Sequence, residues 1–116
     1  MLVCGGRTFS DERLLWFVLD ELHAKTPITL VIQGMALGAD TLARYWAHER
    51  GVTCRGFKPD WKRYGNKTAG PIRNQQMLDE GKPDLVVAFK GGKGTADMVR
   101  RSREQGFEVK TCYPEG

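Results

Sequence analysis

Residues that hold metals or staple small folds are scarce in this chain: two histidines and three cysteines in 116 residues. His23 and His48 fall in separate helical patterns without ligand spacing, and Cys4, Cys54 and Cys112 form no CxxC pair. Neither a zinc site nor a disulfide framework is expected, nor any other bound cofactor. The cysteines lie in or near strand patterns, where a reduced thiol serves as a small hydrophobe. No apolar run approaches the roughly 18–20 residues that cross a bilayer. The first residues lack a basic stretch followed by a hydrophobic one, so no secretion signal is read and a cytoplasmic location is expected, with no membrane partner. Repeats, low-complexity tracts and linkers are also missing, which leaves one domain over residues 1–116 as the expectation.

What is present describes an ordinary globular chain, 41% hydrophobic and 28% charged, well away from disordered compositions. The net charge of +4 favours an anionic partner without naming it. The excess is uneven. Lys58, Lys62, Arg63, Lys67 and Arg73 face a single acid, Asp60, in a stretch that also carries Trp61, Tyr64, Gly65 and Gly70. This segment reads either as a solvated basic loop or as one facing phosphate or nucleic acid.

Short apolar runs alternate with helical periodicity. Strands are expected over Met1–Cys4, Ile28–Ile32, Val52–Phe57, Leu85–Phe89 and Phe107–Cys112. Between them, Leu14, Leu15, Val18, Leu19 and Leu22 mark a helix over Asp11–Ala24, with Thr8 or Ser10 as its cap. Ala39, Leu42, Ala43, Trp46 and Ala47 mark a second, closed by Gly51. Pro71 suits the first position of a third helix ending near Gly81, and Thr95–Gln105 forms the last. Such alternation builds a parallel sheet from right-handed βαβ units with helices on both faces. Five strands give the order 3-2-1-4-5, with ligands expected at the switch point between strands one and four, beyond the carboxyl ends.

That order gathers three glycine-rich corners on one edge: Gly5-Gly6-Arg7, Gly34 through Gly38 to Asp40, and Gly91-Gly92-Lys93-Gly94-Thr95. The last precedes a helix, whose unpaired N–H groups and positive dipole end suit phosphate. Arg7 is read as a bidentate phosphate donor or as a salt-bridge partner at the sheet end. Asp40 accepts from a ribose hydroxyl or caps the second helix. Thr95 both caps and contacts phosphate. Arg73 and Asn74 open the third helix, where a cation opposes the dipole, a local misfit expected of a residue that serves a ligand. Trp61 and Tyr64 stack on a base or close as a lid.

Taken in order, Cys4-Gly5-Gly6-Arg7, Gly34-x-Ala36-x-Gly38-Ala39-Asp40, Pro59-Asp60-Trp61, Ala69-Gly70-Pro71-x-Arg73-Asn74-x-x-Met77 and Gly91-Gly92-x-Gly94-Thr95 resemble the SLOG superfamily, specifically the small YspA/YpsA-related proteins of bacteria and phages. The resemblance runs over nearly the whole chain. It implies a Rossmann-like three-layer sandwich and a nucleotide-derived ligand. The superfamily also holds the LOG phosphoribohydrolases, which cleave nucleotide N-glycosidic bonds, and DprA, which binds single-stranded DNA.

Against the LOG signature Pro-Gly-Gly-x-Gly-Thr-x-x-Glu, residues Gly91, Gly92, Gly94 and Thr95 match, Lys90 replaces proline and Met98 stands at the glutamate position. Glycosidic cleavage needs a carboxylate to stabilise charge or activate water, which Asp97, one position off, does not supply in the same direction. The leading expectation is therefore binding of a nucleotide or nucleotide derivative, as sensor, sequestering protein or carrier, through Gly5, Gly6, Arg7, Gly34, Gly38, Asp40, Trp61, Arg73, Asn74, Gly91, Gly92, Gly94 and Thr95. The alternative is a nucleotide N-glycosidase or related hydrolase using Arg73, Asp97 and Asp40. A second alternative is a DprA-like nucleic-acid-binding module. Relatives associate through their helices, and Trp16, Phe17 and Trp46 offer apolar surface for a homo-oligomer.

Overall fold

In the computed structural model, which describes residues 1–115, the apolar runs that read as strands become the sheet. β1 (Leu2–Cys4) and β4 (Val86–Ala88) are buried along their whole length, as central strands covered on both faces must be. β2 (Leu30–Gln33) lies beside β1. The edges are β3 (Thr53–Gly56) and β5 (Val109–Thr111), each of which places a charge, Arg55 or Lys110, among its residues. All four pairings are parallel and the order is β3-β2-β1-β4-β5. Leu2 stands opposite Val86 and Val3 opposite Val87.

Because successive side chains leave a strand on opposite faces, each strand feeds two cores. Val3, Val31 and Val87 point to the layer of α1 (Glu12–Lys25) and α2 (Ala39–Arg50), where they meet Leu15, Leu19 and Trp46. Leu2, Ile32 and Val86 point to the layer of α4 (Ala69–Gly81) and α5 (Lys93–Glu104), where they meet Met77, Leu78 and Met98. The result is the three-layer Rossmann-like sandwich expected from the sequence.

Four details differ from the sequence reading. The cap of α1 is Asp11, whose carboxylate accepts from the Leu14 N–H at 3.1 Å, because Thr8 and Ser10 stand too far upstream of the first free amides. A short helix, α3 (Trp61–Tyr64), interrupts the basic segment, capped by Asp60. α4 begins at Ala69, so Pro71 is its third residue, still within the first turn where a missing N–H breaks no bond. Trp46 is fully buried and donates its indole N–H to Asp20 at 2.8 Å, so it belongs to the core, whereas Phe17 is 60% exposed.

Candidate functional site

The loops that leave β1, β2 and β4 at their carboxyl ends meet at Gly6. Its N–H donates to the Lys90 carbonyl at 2.9 Å, and its own carbonyl accepts from Phe9 at 3.1 Å and Ala39 at 3.3 Å. Contacts this close leave no room for side chains. A methyl group on Gly5 would lie 2.5 Å from the Ala39 Cβ, one on Gly6 2.9 Å from the Gly91 Cα, and one on Gly91 2.6 Å from the Gly6 nitrogen. Gly38 adds a φ of +75° and would bring its Cβ to 2.1 Å from the Gly6 oxygen. These glycines exist so that loop can touch loop.

Gly92 and Gly94 are of another kind, since a Cβ at either would meet nothing within 4 Å. They stand where α5 begins. Gly92 is its N-cap, so α5 starts two residues before Thr95, which does not cap it as the sequence suggested; no side chain caps that end, and the first amides of α5 face the space in front of them.

That space is a crevice of about 1110 Å³ over the carboxyl ends of the strands, at the β1–β4 switch point. Its walls carry five cations: Arg7, Lys67, Arg73, Lys90 and Lys93. The three acids on the same walls are committed within the protein. Asp11 caps α1. The Asp97 carboxylate accepts from Asn74 at 3.0 Å and from Arg100 and Arg101, each at 2.8 Å. The Asp40 Oδ2 accepts from the N–H groups of Gly34 at 3.1 Å and Ala36 at 3.2 Å, folding the β2–α2 loop back on its own helix. Asp40 therefore does not cap α2, one of the two roles its sequence position allowed. The electrostatic balance left for a ligand is positive.

Arg73 links this loop to α5. Its Nη1 donates to the Gly34 carbonyl and its Nε to the Asn74 Oδ1 at 3.1 Å. Asn74, buried, passes the connection on by donating to the Gly94 carbonyl at 3.2 Å and to Asp97. Burial pulls the Arg73 pKa down, against the pull of Asp40. Burial likewise drives the Asp40 carboxyl up to about 6, while the Ala36 amide, Arg73 and the Gly34 amide act in the opposite direction. Burial would raise Asp97 too, but bonds from Asn74 and Arg101 prevail and hold it below the usual carboxylate range.

The Asp40 shift has a measurable consequence. With a folded-state pKa near 6 against 3.8 in the unfolded chain, the native state binds the proton more tightly. Asp40 then makes stability fall as pH rises from about 4 to about 6, by at most about 1.4 kcal/mol per pH unit. Urea titrations of the wild type and Asp40→Asn across this range isolate the contribution. The wild type is expected to lose stability relative to the variant over that window, and parallel curves would refute it.

Of the residues singled out in the sequence, Gly5, Gly6, Arg7, Asp40, Trp61, Arg73, Asn74, Gly91, Gly92, Gly94, Thr95 and Asp97 all line the crevice. Gly34 faces a smaller neighbouring recess, with the Arg73 guanidinium 2.8 Å from where its Cβ would lie. Gly38 lines neither and packs on the β1 loop. The walls also include residues that sequence reasoning did not single out, among them Asn66, Tyr113 and Pro114. Tyr113 follows β5, and the order that puts β5 beside β4 was the available signal for it.

A doubly wound parallel sheet, three clamped loops at its switch point and a cationic crevice in front of them define a Rossmann-like domain. The comparisons place it more closely. Residues 1–64 match the model of the YspA, cpYpsA-related SLOG family (YAcAr), and the chain belongs to that family. It is 34% identical over 119 residues to the Gene 61 protein of Mycobacterium phage D29, an alignment that spans 94% of this chain and 92% of the phage protein. The X-ray structure of TM1055 superimposes with a TM-score of 0.72 at 25% identity, covering 93% of this chain and 71% of that one.

Proposed function

We infer that this chain binds a nucleotide or nucleotide derivative in the crevice, as a sensor, sequestering protein or carrier. One observation carries the reading: uncapped amides at the start of α5 share a crevice with five cations whose neighbouring carboxylates are all engaged elsewhere. Family membership and the likeness to TM1055 fit a nucleotide-related role. The volume is ample for a nucleotide, since ligand pockets commonly hold about 300–1,000 Å³. In this reading the phosphate sits on the Lys93–Thr95 amides, with Arg7 and Arg73 as flanking donors.

Gly94→Ala tests the seat without disturbing the fold. Gly94 lies in the first turn of α5, where helical backbone suits alanine, and its Cβ would enter open space. Calorimetry with the nucleoside 5′-monophosphates is expected to show binding to the wild type and at least about tenfold weaker binding to the variant, with no loss of melting temperature. Equal affinities would displace the phosphate from this corner.

Asp40 supports hydrolysis as a second reading. Burial drives its carboxyl up to about 6, in the range of a general acid or base, and it lines the crevice together with Arg73, although its Oδ2 is already engaged by two amides. Against it, Met98 is buried in the core where LOG enzymes carry glutamate, and Asp97 is held by three donors. Chromatography of the calorimetry mixtures distinguishes the two: intact nucleotide fits binding, and free base fits hydrolysis.

A further inference from the structure

Beside the main crevice lies a second recess of about 190 Å³, between the β2–α2 loop and the segment entering α3. The two share Arg7, Ala36, Trp61 and Arg73, whereas Lys58, Met35 and Leu37 belong to the recess alone. Its chemistry is two-sided. Arg7, Lys58 and Arg73 supply three cations, no acid lines it, and none of the three is paired with a carboxylate among the described residues. The opposite lip is apolar: Leu37 is 71% exposed and Met35 47% exposed, with Trp61 between the two compartments and the Arg7 guanidinium 5.9 Å from its ring centre.

Met35 is held in this position at a conformational cost. It has a φ of +61°, a region that long side chains seldom occupy. Its amide donates to the Gln33 Oε1 at 2.6 Å, and its thioether crosses β3 at Gly56, where any Cβ would lie 2.1 Å from the sulfur. A strained methionine, propped by a buried glutamine and admitted by a glycine, shapes an apolar lip beside three cations. Exposed apolar groups next to unpaired cations suit a base joined to a phosphate.

We propose that the recess receives a second nucleotidyl unit, so that the ligand is a dinucleotide with a phosphoryl group at each compartment, and not a mononucleotide. The proposal rests on the nucleotide-binding reading above. The α5 corner stands on β4, and the recess lies over the ends of β2 and β3, two to three strands away. At ~4.8 Å per strand that is roughly 10–14 Å, shortened by the reach of Arg7 and Arg73. The phosphoryl groups of a nucleoside diphosphate share one bridging oxygen and cannot occupy both places. Two phosphoryl groups separated by a nucleoside stand further apart, and the guanidinium groups of Arg7 and Arg73, which line both compartments, reach across the remainder.

The test compares nucleoside 5′-monophosphates, the matching diphosphates, 5′-phosphorylated dinucleotides and 5′-phosphorylated hexanucleotides by calorimetry, on the wild type, Lys58→Ala and Lys58→Arg. Dinucleotides are expected to bind at least about tenfold tighter than monophosphates, with no comparable gain from diphosphate and none from dinucleotide to hexanucleotide. Lys58→Ala is expected to erase the dinucleotide gain and leave monophosphate affinity unchanged, and Lys58→Arg to keep the gain. Monophosphates that bind while dinucleotides bind no tighter, or a gain that survives Lys58→Ala, overturn this proposal alone. Affinity that keeps climbing to the hexanucleotide overturns it in favour of a strand-binding groove. Failure of every nucleotide to bind overturns both this proposal and the reading beneath it.

Discussion

Gly38→Ala is expected to lower the unfolding free energy by about 3 kcal/mol or more, a large part of the 5–15 kcal/mol that an ordinary domain possesses. Two costs combine. The backbone of Gly38, at φ 75° and ψ −125°, lies in a region essentially reserved for glycine, which costs about 1–3 kcal/mol for any other residue. In addition, a Cβ would lie 2.1 Å from the Gly6 oxygen and 2.7 Å from the Arg7 oxygen. Both are backbone atoms that cannot swing aside, so relief requires the β1 and β2–α2 loops to separate. That would break the Ala39 to Gly6 hydrogen bond. Gly51→Ala is the control, because Gly51 has a φ of +68° but nothing within 4 Å. It should cost only about 1–2 kcal/mol. Urea denaturation of the pair, at unchanged m-value, separates conformational strain from loop contact. Equal losses at the two positions would mean that the loops yield freely.

Replacing Arg73 with methionine is expected to weaken nucleoside monophosphate binding by about a hundredfold, the scale of losing one bidentate charge-assisted contact together with the order it imposes. Arg73 does more than present charge, because it ties the Gly34 carbonyl to Asn74 and through it to Gly94 in the α5 corner. Arg73→Lys should recover little, since an ammonium cannot bridge those partners as a planar fork does. The same variant reports on Asp40. The guanidinium lowers the Asp40 pKa, so its removal moves that carboxyl further above about 6. The stability lost in Arg73→Met should therefore be greater at pH 8, where Asp40 must ionise without a cation, than at pH 5, where it is largely protonated. A loss independent of pH would sever the link between the two residues.

How much of this was legible in the sequence depends on the range over which each feature acts. β1 and β4 were plain, because a strand covered on both faces must be apolar throughout, and the order of the sheet followed from βαβ handedness. α3 was not, since four residues from Trp61 to Tyr64 complete barely one turn and leave no period to read. The glycines were found, but their meaning was divided. In the sequence each stood for backbone approach to a ligand. In the structure Gly5, Gly6, Gly38 and Gly91 stand for the approach of one loop to another, whereas Gly92 and Gly94 face open space. Nothing local tells these two kinds apart, because the atoms that crowd Gly38 belong to Gly6 and Arg7 on another loop. Asp40 was equally opaque: its partners are Gly34 and Ala36, upstream in a loop whose reversal the sequence does not encode by any turn motif. Lys58 was visible as charge, yet its separation from the main crevice needed the folded path of residues 33–37.

The knot of contacts at Gly6 also determines where such a domain can change. An insertion in the loop after β1, β2 or β4 must disturb the other two, because one residue joins all three. The stretch from Lys58 to Gly70 stands outside the knot, and Gly65 and Gly70 there have no neighbour within 4 Å of a would-be side chain. The exposed positions from Lys62 to Thr68, apart from Gly65 with its φ of +77°, can vary on that side of the crevice while the opposite wall stays fixed. A library built to give the domain a ligand of choice therefore belongs at those positions, with Gly65 and the three glycine loops left untouched.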